Sequence, residues 1–460
     1  ARARQPRSTG TPRSQIPAER VMTMGSCSAR TLVLAFCLLT ACGTIDAAVE
    51  CPAAEVQALR DLYDATSGSK WRNSANWLQG DPCTNAWHGV ACNREGHVEV
   101  LALSMNQLEG ALPESLGNLA DLKTLMLGLN RLRGDLPASL CGLGLTQLMV
   151  GYNYLRADLG CFANMSTLSV LDLEWNDEVL GSLNQLQHLP RLSELNLRSG
   201  RVLGNVTAFL SSVPRARVLR LGENRLTGHL PEALPTSLEV LALGGNDLTG
   251  TIPAAVTHLP RLTEFAVPNT LLHGRVPRFE GARLEVLDLS QNEFHAWEGV
   301  GSLAQGAPRL RTLLLSQNPW RLPAEEMLST QRLPAPVAAL EVLRCDDCGL
   351  QGPLPPAVLS RLPALQHLSL SANDLTGPIP DRFDATPALH SLVLDHNRFR
   401  GPLPRTLASL PNLRHLLLHH NRLSGPLPSA LLRGWPSLHA LRLEDNQLEG
   451  VIPDAFGDMR

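Results

Sequence analysis

The chain has 460 residues, longer than one globular core usually organises, so several domains or a repeat array are expected. Its 40 basic and 43 acidic residues leave a net charge of −3, which excludes the basic excess of a nucleic-acid binder. Hydrophobic residues make up 44%, too many for a disordered chain, while 4% aromatics with 36 glycines and 34 prolines favour a repeat array.

Residues 1–23 read as an upstream or disordered segment, since methionine first occurs at Met22 and Met24. From Met24 a basic residue, Arg30, precedes the apolar run Thr31 to Cys42, and small residues follow at Ala47 and Ala48. That run suits the core of a secretory signal and falls short of the ~20 residues that cross a bilayer. Residues 24–48 are therefore expected to be a cleaved signal peptide. The alternative is a lipid on Cys42, because "LTAC" resembles a bacterial lipobox. Three of the ten cysteines fall in this presegment, leaving Cys51, Cys83, Cys92, Cys141, Cys161, Cys345 and Cys348. An odd number in an exported chain implies a free thiol or an intermolecular bridge. Asn164 in "NMS" and Asn205 in "NVT" fit the N-glycosylation sequon.

From residue 98 to 460 an L-x-L-x-x-N core recurs, for example "LDLEWN" ending at Asn176, "LRLGEN" at Asn224 and "LLLHHN" at Asn421. Gly200, Thr270 and Cys348 replace the asparagine in three turns, and the total is about fifteen coils. Side chains alternate across a short strand, so the leucines enter a shared core and the residues between them face out. The asparagine carries donors and an acceptor that can repeat one backbone bond coil after coil. No coil buries its own leucines, so stability comes from neighbours. Many coils continue as N-x-L-x-G-x-[IL]-P, as in "NRLTGHLP" and "NRLSGPLP", where glycine and proline force a bend.

The G-x-[IL]-P signature resembles that of plant-type leucine-rich repeats. Residues 49–97 resemble the N-terminal cap of that family: Cys51, the helical "AAEVQALRDLYDAT", then the C-x3-W-x-G-V-x-C run from Cys83 to Cys92. The resemblance implies a right-handed α/β solenoid with a parallel sheet on its concave face, and a Cys83–Cys92 bridge. The adjacent cysteine pair of some relatives is missing here, leaving Cys51 without an evident partner. The resemblance further implies an extracellular recognition scaffold, the ectodomain of a receptor-like protein or receptor kinase. The alternative is a secreted inhibitor of wall-degrading enzymes, like the polygalacturonase-inhibiting proteins. Two regions are irregular: Asn176 to Pro190 lacks the glycine–proline turn, and Asn292 to Cys348 contains a coil of about 30 residues with Trp297 and Trp320. The sequence stops within a coil, so the native protein is expected to continue past Arg460, with any membrane contact lying there.

The outward strand residues form the candidate ligand-binding surface. One band holds Tyr152, Asp172, Glu174, Trp175, Arg198, Arg220 and Glu223. Its tyrosine and tryptophan, one coil apart, are credible anchors because they bury much area at low entropic cost. A second band aligns Asp395, His419 and Glu444, with His396, His420 and Asp445 in the next row and Val393, Leu417 and Arg442 in the row before. His415 and His419 are four apart on a strand, hence ~13 Å apart, and cannot chelate together. This band is therefore read as a mixed-charge or pH-sensitive binding patch, with no metal and no cofactor. Cys345 and Cys348 occupy a core leucine and a ladder asparagine position and read as two buried thiols. Cys141 and Cys161 lie on neighbouring outer turns and can be bridged if their Cα atoms come within about 7 Å. No nucleophile elbow, phosphate loop or kinase signature is present, so the expected partners are a protein, peptide or glycan ligand and a co-receptor rather than a substrate or nucleic acid.

Overall fold

The computed structural model describes residues 49–454 apart from 282, 298–299 and 329–336. The segments read as upstream sequence and signal peptide, and part of the long coil, lie outside the described residues.

The repeat region begins behind helix α1 (Ala53–Ala65), which buries Ala58, Leu59 and Leu62. Glu55, only 3% exposed, ties the helix to the first coil: its carboxylate meets His97 Nδ1 at 2.6 Å and accepts the Val98 N–H at 2.7 Å. Beneath the helix Trp71 and Trp77 pack edge to face at 4.8 Å, and Trp87 lies 5.0 Å from Trp77. Each indole N–H finds a backbone carbonyl, on Thr66, His88 and Gln79, so three large rings are buried without an unpaired donor. The Cys83–Cys92 bridge expected from the family resemblance is present, with Cα atoms 5.6 Å apart.

A 16-stranded sheet runs the length of the coils. Its first strand, Val90–Cys92, pairs antiparallel with Val98–Ala102, and the fifteen strands from there to Ala440–Arg442 are parallel, one per coil. Three shorter parallel sheets of four, five and five strands form just after the ladder positions, and they include coils without the glycine–proline turn, such as Glu178–Leu180. Gly228 and Gly401 in the glycine–proline turns have φ of 102° and 84°, a conformation that tolerates glycine best. The leucines of the repeat fill the interior; Leu219, Leu221, Leu392 and Leu394 are fully buried.

The asparagines form the ladder the sequence implies. Asn246 donates to Leu221 O at 3.0 Å in the preceding coil and to Leu243 O at 2.8 Å in its own, and accepts from Leu226 N at 3.0 Å. In every coil the residue before this position has a left-handed backbone, from Met105 with φ 57° to Asp445 with φ 55°. The turn folds the ladder position back over the residue three places earlier, which explains a departure from the sequence reading. Cys348 takes the ladder position and Cys345 the place three before it, and they are not separate thiols but a disulfide, with Cα atoms 5.6 Å apart. Both remain in the core at 0% and 1% exposure. Cys141 and Cys161 are also bridged, at a Cα separation of 5.0 Å. Cys51 is left as a buried free thiol, and burial beside Glu55 pushes its pKa up to about 12.

Candidate functional site

The first band is assembled by four consecutive coils. The left-handed turns at Tyr152 and Trp175 lift both side chains off the sheet edge and stack the rings at 6.3 Å. Left-handed backbone costs a residue with a Cβ about 1–2 kcal/mol. Ladder bonds between coils offset it, such as Tyr152 N–H to Glu174 O at 2.8 Å and Trp175 N–H to Arg198 O at 3.1 Å. Tyr152 stays 45% exposed, and Arg198 extends the stack with its guanidinium carbon 5.5 Å from the Trp175 ring centre. Arg198 also pairs with Glu223 at 2.7 Å, and Arg220 reaches across a whole coil to Glu264 at 3.3 Å. That reach is open because the coil between them carries only Ala242, Gly244 and Gly245 on this side. A side chain at Gly244 would strike Pro268 Cδ at 2.5 Å, so this glycine is required by the proline of the next coil, which covers it.

Under the aromatic pair sit two acids. Asp172 is tucked against Gly151, where a Cβ would lie 2.7 Å from its Oδ1, and it accepts the Glu174 N–H at 3.1 Å. Burial, reinforced by the neighbouring Glu174, pushes the Asp172 carboxyl up to about 7. Glu174 is likewise raised by burial, against the pull of Asn196, Arg220 and Arg198. Among the described residues neither carboxylate belongs to an ion pair, since the two nearby arginines are engaged with Glu223 and Glu264. Asn196 Oδ1, buried on the adjacent strand, has no hydrogen-bond partner, a feature that no sequence pattern announces. The band is thus a partly exposed aromatic shelf over an acid-rich, incompletely neutralised floor.

The second band has the register expected from coil alignment: Val393 pairs with Leu417 and Leu417 with Arg442. Exposure differs from the reading of these residues as a contact surface. Leu417, His419 and Asp395 are buried at 5%, 5% and 8%, because strands only ~4.8 Å apart let each coil cover its neighbour. His396, His420, Glu444 and Asp445 remain exposed. The left-handed turns at His396 and His420 bring their rings to 4.3 Å, and each stands 5.2 Å from His419. His396 Nδ1 lies 2.8 Å from Asp395 Oδ2 and His420 Nδ1 lies 3.0 Å from Asp445 Oδ2. His419 Nδ1 is buried without a hydrogen-bond partner, and burial holds the ring below the ordinary histidine pKa. Two more histidine pairs that the sequence reading did not connect lie close across neighbouring coils, His367 stacked with His390 and His415 tilted against His439.

Both sequons lie on exposed positions. Asn205 caps the helix Val206–Ser212 through its Oδ1, and Asn164 sits on an outer turn.

Comparison with known proteins follows this geometry. A leucine-rich-repeat family profile matches residues 363–423, and a second matches 97–119 and 437–459. Receptor-like protein 53 of Arabidopsis thaliana is 32% identical over 153 residues, 31% of this chain and 16% of that protein. The structure of the plant peptide hormone receptor RGFR1 in complex with RGF2 superposes with a TM-score of 0.65 at 26% identity. That match covers 81% of this chain and 66% of the receptor chain. A TDR receptor structure gives 0.67 at 29% identity, covering 78% and 62%. The chain therefore spans a small part of the matched receptor-like protein and under two thirds of the TDR receptor chain.

Proposed function

We propose, from the premise that this chain belongs to the leucine-rich-repeat proteins, that it is a receptor-like recognition scaffold binding a peptide or protein segment on its concave sheet. It acts outside the cytosol, secreted or at the cell surface; three disulfides in the coils and cap suit an oxidising compartment, and its relatives are named as receptors. The observation that carries the reading is the Tyr152–Trp175–Arg198 shelf over Asp172 and Glu174.

Tyr152, 45% exposed, and the half-buried Trp175 lie outside the leucine core, which is complete without them. They offer area to a partner. Among the described residues the acids below form no ion pair, so the shelf suits a segment with an apolar or aromatic side chain next to a basic one. Peptide recognition is also what the RGFR1 complex displays for its own ligand. A co-receptor and carbohydrate at Asn164 and Asn205 belong to the same reading. The chain is a binding module, not an enzyme.

The test is selection of peptides from a random library on the exported chain, followed by affinity measurement on Tyr152→Ala and Trp175→Ala. The reading expects selected peptides enriched in basic and aromatic residues whose binding weakens at least tenfold in either variant. Peptides indifferent to both variants would show that the shelf is not the site. Inhibition of a polygalacturonase by the chain, unaffected by these substitutions, would instead favour the wall-enzyme inhibitor.

A further inference from the structure

The histidine band carries a second assignment, independent of the peptide shelf. One ring nitrogen from each of His396, His419 and His420 lies within 4.8 Å of the others. The chain holds 14 histidines in 460 residues, so three imidazoles converging from two adjacent coils are not a by-product of composition. His415 and His419, ~13 Å apart along an extended chain, cannot ligate one ion together. The cluster uses a different set, drawn from across the coils and lifted by two left-handed turns.

The surroundings of the rings fit a metal centre. His396 Nδ1 lies 2.8 Å from Asp395 Oδ2 and His420 Nδ1 lies 3.0 Å from Asp445 Oδ2, an arrangement in which a proton on each Nδ1 leaves Nε2 to ligate. Carboxylates behind ligating imidazoles are the usual support of such centres, because they fix the tautomer and raise ligand basicity. His419 has only 6% of its side chain exposed and brings a buried, unpartnered Nδ1, an atom that requires an explanation in any folded chain. In tetrahedral geometry with ~2.05 Å bonds, ligand nitrogens stand ~3.3 Å apart. Closing from the observed spacing needs small shifts of His396 and His420, whose side chains are 52% and 46% exposed, about their contacts with Asp395 and Asp445.

We propose that His396, His419 and His420 form a site for a divalent transition metal ion of the zinc class, with Asp395 and Asp445 orienting two of the ligands. Imidazole donors select zinc-class ions over calcium and magnesium, which prefer oxygen. Three protein ligands leave a fourth position for water or a donor group of a bound partner.

The experiment uses the exported chain without a histidine tag. Equilibrium dialysis and calorimetry against Zn2+ alone are expected to give one equivalent bound with micromolar affinity or tighter. His396→Ala and His420→Ala each weaken it at least tenfold, and Asp445→Asn weakens it about tenfold to a hundredfold, the usual effect of removing a supporting carboxylate. The double variant His415→Ala, His439→Ala, which alters the neighbouring pair of rings, binds as the unaltered chain does. Both single histidine variants change exposed side chains, so thermal melts without metal are expected to match the parent and separate lost ligation from lost folding. Co2+ should give the intense visible absorption of a tetrahedral centre. Uptake well below one equivalent, or uptake unchanged in His396→Ala and His420→Ala, would overturn the assignment. Neither result bears on peptide binding at the aromatic shelf, because the readout is the metal alone.

Discussion

Replacing Asp172 by asparagine tests the acid floor of the aromatic shelf directly. The substitution keeps shape and the acceptor for the Glu174 N–H while removing the charge. In the folded chain the carboxyl is pushed up from 3.8 to about 7, burial being the main cause. A raised folded-state pKa means the native state binds the proton more tightly than the unfolded chain does. Its contribution is most favourable below about pH 4, falls as pH rises toward 7, and is constant above that. Three pKa units at 1.36 kcal/mol each set an upper bound of about 4 kcal/mol. Half-burial of the side chain and water access lower the realised cost to about 1–3 kcal/mol. For roughly 400 ordered residues at ~2.1 cal/mol/K each, 1 kcal/mol is about 1 °C in Tm. Asp172→Asn should therefore melt about 1–3 °C above the parent at pH 8 and with it near pH 4. Scanning calorimetry or tryptophan fluorescence at both pH values measures the difference. A gain independent of pH, or one larger in acid, would refute the reasoning.

The same titration predicts that a selected basic peptide binds more tightly as pH rises from 5 to 8. Each unit by which the bound cation lowers the Asp172 pKa decreases Kd tenfold, and Asp172→Asn should flatten the profile. In the ladder, Asn373→Ala strands the carbonyls of Cys345 and Leu370 and the N–H groups of Cys348 and Leu350. A cost of about 2–4 kcal/mol is expected, seen as a Tm loss of about 2–4 °C with local hydrogen exchange in the flanking coils. Alkylation with mass spectrometry should find one free thiol from Cys51 onward: Cys51 itself, unreactive until unfolding because burial pushes its pKa to about 12.

What the sequence made legible was the part governed by period. The leucine frame and the asparagine positions fix which side chains enter the core and which coils are neighbours, so the cross-coil rows around His419 could be aligned without coordinates. The left-handed row was not legible, because nothing in residue type announces it. Met105, Tyr152, Glu223, His396 and Asp445 share the conformation, and it is imposed by the ladder that follows rather than by their own preference. That omission hid the Cys345–Cys348 bridge and the convergence of three imidazoles. Burial of Leu417 and His419 was also missed, since an outward side chain is covered or not according to the size of its neighbours one strand away. Pairwise alignment ranks neighbours; it does not measure their overlap.

The row set by the left-handed turns also limits what one ligand can do. In the main sheet the strand before Trp175, Val170–Asp172, stands ten steps from the strand before His420, His415–Leu417. At ~4.8 Å per strand these bands are separated by about 50 Å along the sheet. An extended peptide covers at most ~3.4 Å per residue, so about fifteen residues are needed to touch both. A ligand shorter than about ten residues is therefore expected to sense Trp175→Ala or His420→Ala, never both, and free-energy losses for a longer one should add, because sites this far apart share no partners. Affinity titrations of a nested peptide series against the two single variants and their double measure this. A short peptide weakened by both substitutions would mean that the bands are coupled through the coils rather than bridged by the ligand.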